Sequence, residues 1–204
     1  MGFIQQPPFM FRWAYPEVVW RLSKTEKAVS LTFDDGPIPE VTPWVLEVLK
    51  QHGIKATFFC VGENVVKHPE IFRQIIDEGH RVGNHSQHHV RGRSLSLDDY
   101  LTDIQEAQEF IHSSLFRPPY GSLTIQQYHK LKKHYKIVFW DVLTEDYNKN
   151  LAPKECLDIV QRYVRNGSII VFHDSLKAAD RLFELLPSAI QYLKEEGYNF
   201  SLID

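Results

Sequence analysis

From Val29 to the C-terminus, short runs rich in apolar and β-branched residues alternate with longer amphipathic segments, and that alternation leaves few folds open. The strand-like runs are 28–33, 56–61, 81–84, 115–117, 137–142, 168–172 and 200–203. Helical periodicity fills 41–52, 65–78, 97–113, 124–134, 154–164 and 178–196. Gly53, Gly79, Gly167 and Gly197 follow periodic segments, where a residue tolerant of the left-handed conformation closes a helix. About seven such units predict an α/β fold whose parallel sheet curls into a barrel. In such a barrel the chemistry gathers at the carboxyl ends of the strands.

With 204 residues, 43% of them hydrophobic, the chain can bury one substantial core, as a single domain over 28–204. Residues 1–22 carry many aromatics, but Pro7, Pro8, Pro16 and Arg12 deny them the apolar continuity of a secretory signal or a membrane span. Residues 1–27 are therefore read as an aromatic arm that packs on the domain. No other segment reaches spanning length, so the expectation is a soluble protein, cytoplasmic or associated with the cell envelope. The net charge of -3 gives no electrostatic reason to expect nucleic acid or an anionic membrane as partner. The two cysteines, Cys60 and Cys156, fit no metal or redox spacing, and Cys60 within an apolar run reads as a buried free thiol.

The first strand-like run ends in Asp34-Asp35-Gly36-Pro37. Adjacent carboxylates resist ionising together unless a cation or a basic partner separates their roles. In isolation the tetrapeptide reads as a turn. After the third run comes His85-Ser86-Gln87-His88-His89. His85 and His89 are four apart, so one helical turn would aim both imidazoles the same way, and His88 competes for the same role. With Asp35 arriving from a neighbouring strand, two nitrogens and one oxygen form a facial set that leaves coordination positions open, the mark of a catalytic metal. Arg117-Pro118-Pro119-Tyr120-Gly121 follows the fourth run, 141–147 the fifth and His173-Asp174 the sixth.

Taken together, Thr32-Phe33-Asp34-Asp35-Gly36-Pro37, His85-Ser86-Gln87-His88-His89, Arg117-Pro118-Pro119-Tyr120-Gly121, the region of Asp146, and Val171-Phe172-His173 resemble, in the same order, the five motifs of the polysaccharide deacetylase family. That family is also called the NodB homology domain or carbohydrate esterase family four. The resemblance runs from about Val29 to the C-terminus and implies a distorted (β/α) barrel, NodB-like. It implies that Asp35, His85 and His89 hold a divalent metal, zinc or in some members cobalt or another transition ion. Asp34 would be the catalytic base, Arg117 its partner, the Tyr120 backbone N–H a donor to the oxyanion, and His173 the general acid oriented by Asp146. Asp141 is an alternative partner for His173, and Asp174 is a further carboxylate near the same rim.

Those roles make chemical sense. A metal polarises the acyl carbonyl and acidifies water, a preorganised N–H meets the charge on the tetrahedral intermediate, and an imidazolium protonates the departing amine. Each residue also has a plainer reading: Arg117 as a structural ion pair, His173 as a core histidine satisfied by backbone, Asp146 as a turn cap. Three positions depart from the family pattern. Tyr147 stands where Trp is usual, Leu143 where many members have Asp, and Val171 where Leu is usual. In the family the groups at Tyr147 and Val171 line the pocket for the acetyl methyl. The expected function is removal of N-acetyl groups from N-acetylhexosamine units of a glycan such as peptidoglycan or a chitin-like oligomer. O-acetyl ester hydrolysis on a polysaccharide such as xylan, a non-catalytic sugar-binding relative and a structural metal site are the alternatives.

Overall fold

The computed structural model describes residues 5–203. In order they form α1 (Phe9–Ala14), β1 (Ala28–Asp34), α2 (Thr42–His52), β2 (Thr57–Cys60), α3 (Gly62–Lys67), α4 (Pro69–Asp77), β3 (Arg81–Asn84), α5 (Leu97–Ile111), β4 (Leu115–Phe116), α6 (Ile125–Leu131), β5 (Lys136–Ile137), β6 (Val142–Leu143), α7 (Pro153–Tyr163), β7 (Ile169–His173), α8 (Ala179–Glu195) and β8 (Asn199–Phe200). Seven strands run β5-β4-β3-β2-β1-β7-β6 and form a curled half-barrel, with β8 paired to the first residues of β1. Every pairing between these strands is parallel.

The central strand β1 is buried at all seven residues, as a strand covered on both faces must be. Phe33 stacks between Phe58 of β2 and Phe172 of β7, with ring centroids 5.0 and 5.6 Å away, so the strands that carry the site share one aromatic core. Register then brings Asp34 beside His173 across the β1–β7 pair, because the two parallel strands, seven and five residues long, are aligned so that their carboxyl ends coincide.

Two expected elements are divided. The helix over 65–78 is α3 and α4, because Pro69 offers no N–H and drives His68 out of helical geometry, to φ -133° and ψ 56°. The strand over 137–142 is β5 and β6, which lie at opposite ends of the sheet. Between them the chain pairs with the N-terminal segment: Val19 bridges Val138, its N–H donating to the Ile137 carbonyl at 2.9 Å while Phe139 N–H donates to the Val19 carbonyl at 2.9 Å. Tyr15, Val18 and Trp20 are buried against Phe139 and Trp140 in a second core. Residues 1–4 of the expected arm lie outside the described residues.

Asp141 is not near His173. Its N–H donates to the Ile169 carbonyl at the opposite end of β7, four residues and about 13 Å of strand from His173. Its buried carboxylate accepts from Arg165 at 2.5 and 2.8 Å, Ser168 Oγ at 2.9 Å and Arg12 at 3.2 Å, tying the arm to the base of the barrel. Asp174 is buried behind the rim, accepting from Gly36 N–H at 3.1 Å and Thr42 Oγ1 at 2.6 Å, so it braces the Gly36-Pro37 turn.

Candidate active site

The carboxyl ends of β1, β3 and β7, with the loops after β4 and β6, meet around a cavity of about 320 Å³. Asp34 and Asp35, adjacent in sequence, separate because Asp35 adopts φ 86° just beyond the end of β1. Asp34 Oδ1 accepts from Arg117 Nη1 at 2.6 Å. The buried Arg117 side chain is held from several directions: it donates to Thr32 Oγ1 at 2.8 Å and to the Phe139 carbonyl at 3.0 Å, and its guanidinium lies 4.0 Å from the Phe59 ring centroid. Gly83 makes room for that ring, since a Cβ there would stand 2.5 Å from Phe59 carbons. Planar, multiply bonded and fully buried, Arg117 fixes Asp34 at a defined place.

Asp35, His85 and His89 offer donor atoms that all lie within 4.8 Å of one another. Asp35 Oδ1 is shielded from solvent and has no aligned hydrogen bond, although His89 Nε2 is 3.1 Å away and His85 Nε2 3.8 Å. His85 Nδ1–H donates to the Arg117 carbonyl at 2.7 Å, which leaves Nε2 as the lone-pair nitrogen facing Asp35. Burial, despite Asp34 nearby, carries the His85 pKa down to about 4, so the ring is neutral at physiological pH. Burial would raise the Asp35 pKa, but His89, His173 and His85 together hold it well below the usual carboxylate range. An orphaned carboxylate oxygen and two imidazole nitrogens are a donor set that fits a divalent transition ion.

His85 and His89 do not lie on a helical turn as their spacing predicts. Residues 85–89 are an irregular loop with Ser86 at φ 65° and His89 at φ 52°. His88, the competing ligand, points away: its Nδ1 pairs with Asp103 Oδ1 at 2.7 Å, and Asp103 Oδ2 also accepts from Gln87 N–H at 3.1 Å. His88, Asp103 and Glu106 form a second close group, but Asp103 is occupied in bracing the histidine loop against α5.

His173, the register neighbour of Asp34, lines the same cavity. Asp146 accepts from its ring Nδ1 at 2.7 Å and from its backbone N–H at 2.8 Å, so one carboxylate fixes both the ring and the strand end. Burial would lower the His173 pKa, but Asp146 chiefly, with Asp35 and Asp34, carries it up to about 9. Tyr147 stands edge-on to His173 at 4.9 Å, and with Trp140, Leu143 and Val171 it forms an apolar wall. Tyr120, at φ 59° on the turn after β4, packs its ring 4.7 Å from His89. The sequence-expected residues Asp34, Asp35, His85, His89, Arg117, Tyr120, Asp146, Tyr147, Val171 and His173 thus come together.

Several supports carry no motif. Asn84 Oδ1 accepts from Ser86 N–H at 2.8 Å, Asn64 donates to the Asp35 carbonyl at 2.8 Å, and Asp103 Oδ2 accepts from Gln87 N–H at 3.1 Å. Asn84 alone left a local trace, as a polar residue at the inner end of a strand directly before a ligand-type histidine. The positive φ angles at Asp35, Ser86, His89, Tyr120 and Glu145 collect in the loops around this cavity, where such conformations need support from their surroundings.

The sequence model described as polysaccharide deacetylase matches residues 21–138. The peptidoglycan-N-acetylglucosamine deacetylase PgdA of Listeria monocytogenes is 34% identical over 191 residues, covering 89% of this chain and 39% of that protein. The chain therefore spans about two fifths of the length of that relative. The crystal structure of the Bc1960 peptidoglycan N-acetylglucosamine deacetylase superposes with a TM-score of 0.89 at 32% identity, covering 97% of this chain and 95% of that one. BA3943 from Bacillus anthracis, described as a CE4 family pseudoenzyme, superposes with a TM-score of 0.77 at 31% identity, covering 90% of this chain and 66% of that one.

Proposed function

Because the chain belongs to the polysaccharide deacetylase family, carbohydrate esterase family four, we propose that it hydrolyses N-acetyl groups of N-acetylhexosamine units in a cell-wall glycan, releasing acetate and leaving a free amine. The observation that carries this reading is one cavity lined by Asp34, anchored by Arg117, by His173, anchored by Asp146, and by the close group Asp35, His85 and His89. Similarity to proteins named for peptidoglycan N-acetylglucosamine supports the substrate class.

Asp35, His85 and His89 would hold a divalent ion, zinc or alternatively cobalt or another transition metal, and that ion supplies Lewis acidity to the acetyl carbonyl and to a water. Asp34 takes the proton from the attacking water, with Arg117 keeping its carboxylate in place. The Tyr120 N–H is the proposed donor to the developing oxyanion, a contribution on the order of 3 kcal/mol. His173, charged at neutral pH and held through Nδ1, delivers its remaining ring proton to the leaving amine. Trp140, Leu143, Tyr147 and Val171 would enclose the acetyl methyl and exclude bulk water.

Acetate release from peptidoglycan and from chitooligosaccharides, measured before chelation, after it and after return of Zn²⁺, tests the reading. The expected result is activity that disappears and returns, with the far-UV spectrum unchanged throughout. Activity indifferent to chelation overturns the metal assignment, and cleavage of acetylxylan alone would make the protein an ester hydrolase. A non-catalytic sugar reader would release no acetate from any of the three; it is disfavoured because Asp34, Asp35, His85, His89 and His173 are all present.

A further inference from the structure

We propose that Lys177 is an anion-recognition residue at the mouth of the cavity, selecting acetamido sugars that carry a carboxylate beside the acetylated nitrogen, the chemistry of a muramic-type sugar with a free lactyl ether. The inference deepens the deacetylase reading and rests on it for the placement of the acetyl group.

Lys177 lies on the turn between β7 and α8 and lines the same cavity as Asp35 and His173. Its Nζ is 5.1 Å from the centroid of the Tyr147 ring, and that ring stands edge-on to His173. A single aromatic side chain therefore separates the ammonium from the group proposed to protonate the leaving amine. The turn is held as well as the side chain. The buried Arg181 donates through Nη2 to the Lys177 carbonyl and through Nε to the Asp146 carbonyl at 2.5 Å. Lys177 and the residue that orients His173 thus hang from one guanidinium, which fixes the ammonium's origin relative to the reacting centre.

The charges around it are already matched. Asp34 is paired with Arg117, Asp146 with His173, and Asp35 faces His85 and His89. Among the described residues no carboxylate lies within ion-pair distance of Lys177, and its only partner through the ammonium is the Tyr147 ring. Such a cation steadies its stem on an aromatic face and keeps its charge available to an incoming group. A neutral hexosamine bound with its acetyl group against the apolar wall would leave that ammonium in water. A sugar bearing a carboxylate next to the acetamido group would instead meet it with a charge-assisted hydrogen bond, stronger than a neutral one.

The test compares three ligands on the Zn²⁺-supplemented protein: a peptide-free glycan with free lactyl carboxylates, the same glycan amidated at those carboxylates, and a neutral N-acetylglucosamine oligomer. Acetate release and calorimetric binding are both read. Wild type should favour the free-carboxylate glycan, and Lys177→Met should raise KM for it about tenfold with kcat held, leaving the other two ligands unchanged. Lys177→Arg should restore the preference, and added salt should weaken it. Acetate release with no preference for the free carboxylate, or an equal Lys177→Met penalty on all three ligands, overturns the inference and leaves the deacetylase reading standing. Carboxylate-dependent binding that needs Lys177 but releases no acetate overturns the deacetylase reading alone, and absence of both overturns both.

Discussion

Asp34 and Asp35 share a sequence neighbourhood and a residue type, yet their surroundings give them different work. Asp34 is tied to a buried guanidinium, while Asp35 is turned by its left-handed backbone toward two imidazoles. Asp34→Asn keeps the shape and an acceptor for Arg117 but removes the proposed base. Acetate release should fall at least about a hundredfold, while bound Zn²⁺ measured by elemental analysis stays near wild type; loss of metal would mean that the two carboxylates have been given each other's roles. His173→Ala removes the proposed proton donor for the leaving group. It should slow amide cleavage by about 10²–10⁴-fold and cleavage of activated aryl acetates far less, because a phenolate leaves without protonation. Equal losses on both substrates would remove the general-acid role. These residues were legible because each belongs to a short motif at the end of a strand-like run. His88 was not separable from His85 and His89 by spacing, since its assignment rests on Asp103, fifteen positions away.

Elements matter here through the points at which they are pinned. His80, just before β3, accepts the Ala56 N–H on Nδ1 at 3.1 Å as that chain enters β2, and it stacks edge-on against Phe58. Burial, with Lys55 nearby, holds its pKa down at about 4 against an ordinary 6.5. The unfolded chain therefore takes up a proton near pH 6.5 that the native ring refuses until about pH 4. Stability from this group is fully present above pH 6.5 and is lost as pH falls toward 4. His80→Asn keeps an acceptor for Ala56 and removes the titration, so the fall in urea midpoint between pH 7.5 and pH 5 should be smaller in the variant than in wild type. An identical fall in both would place the acid sensitivity elsewhere. Periodicity foretold most of these elements, and Pro69 explains the break between α3 and α4 by a rule that acts on its own neighbours.

At the scale of the molecule, the half-barrel leans on an N-terminal segment none of whose described residues lines the cavity. Trp20 is buried, its ring 4.6 Å from Phe139, and Val19 pairs across the seam between β5 and β6. Trp20→Ala should lower stability by about 3–5 kcal/mol, read from the urea midpoint, with kcat per folded molecule close to wild type at low temperature. A large kcat loss with unchanged stability would mean that the arm reaches the site in some other way. Strand and helix types, the stops between them and the motifs at the strand ends were determined by the sequence alone, because they follow from residues two to four positions apart and from the common direction of parallel strands. Tertiary structure decided that 137–142 divides between opposite edges of the sheet, that Asp141 serves the base of the barrel and not His173, and that Lys177 reaches the cavity. Those outcomes depend on contacts between residues far apart in the chain, such as Val19 with Val138 and Arg12 with Asp141, which no local window of sequence contains.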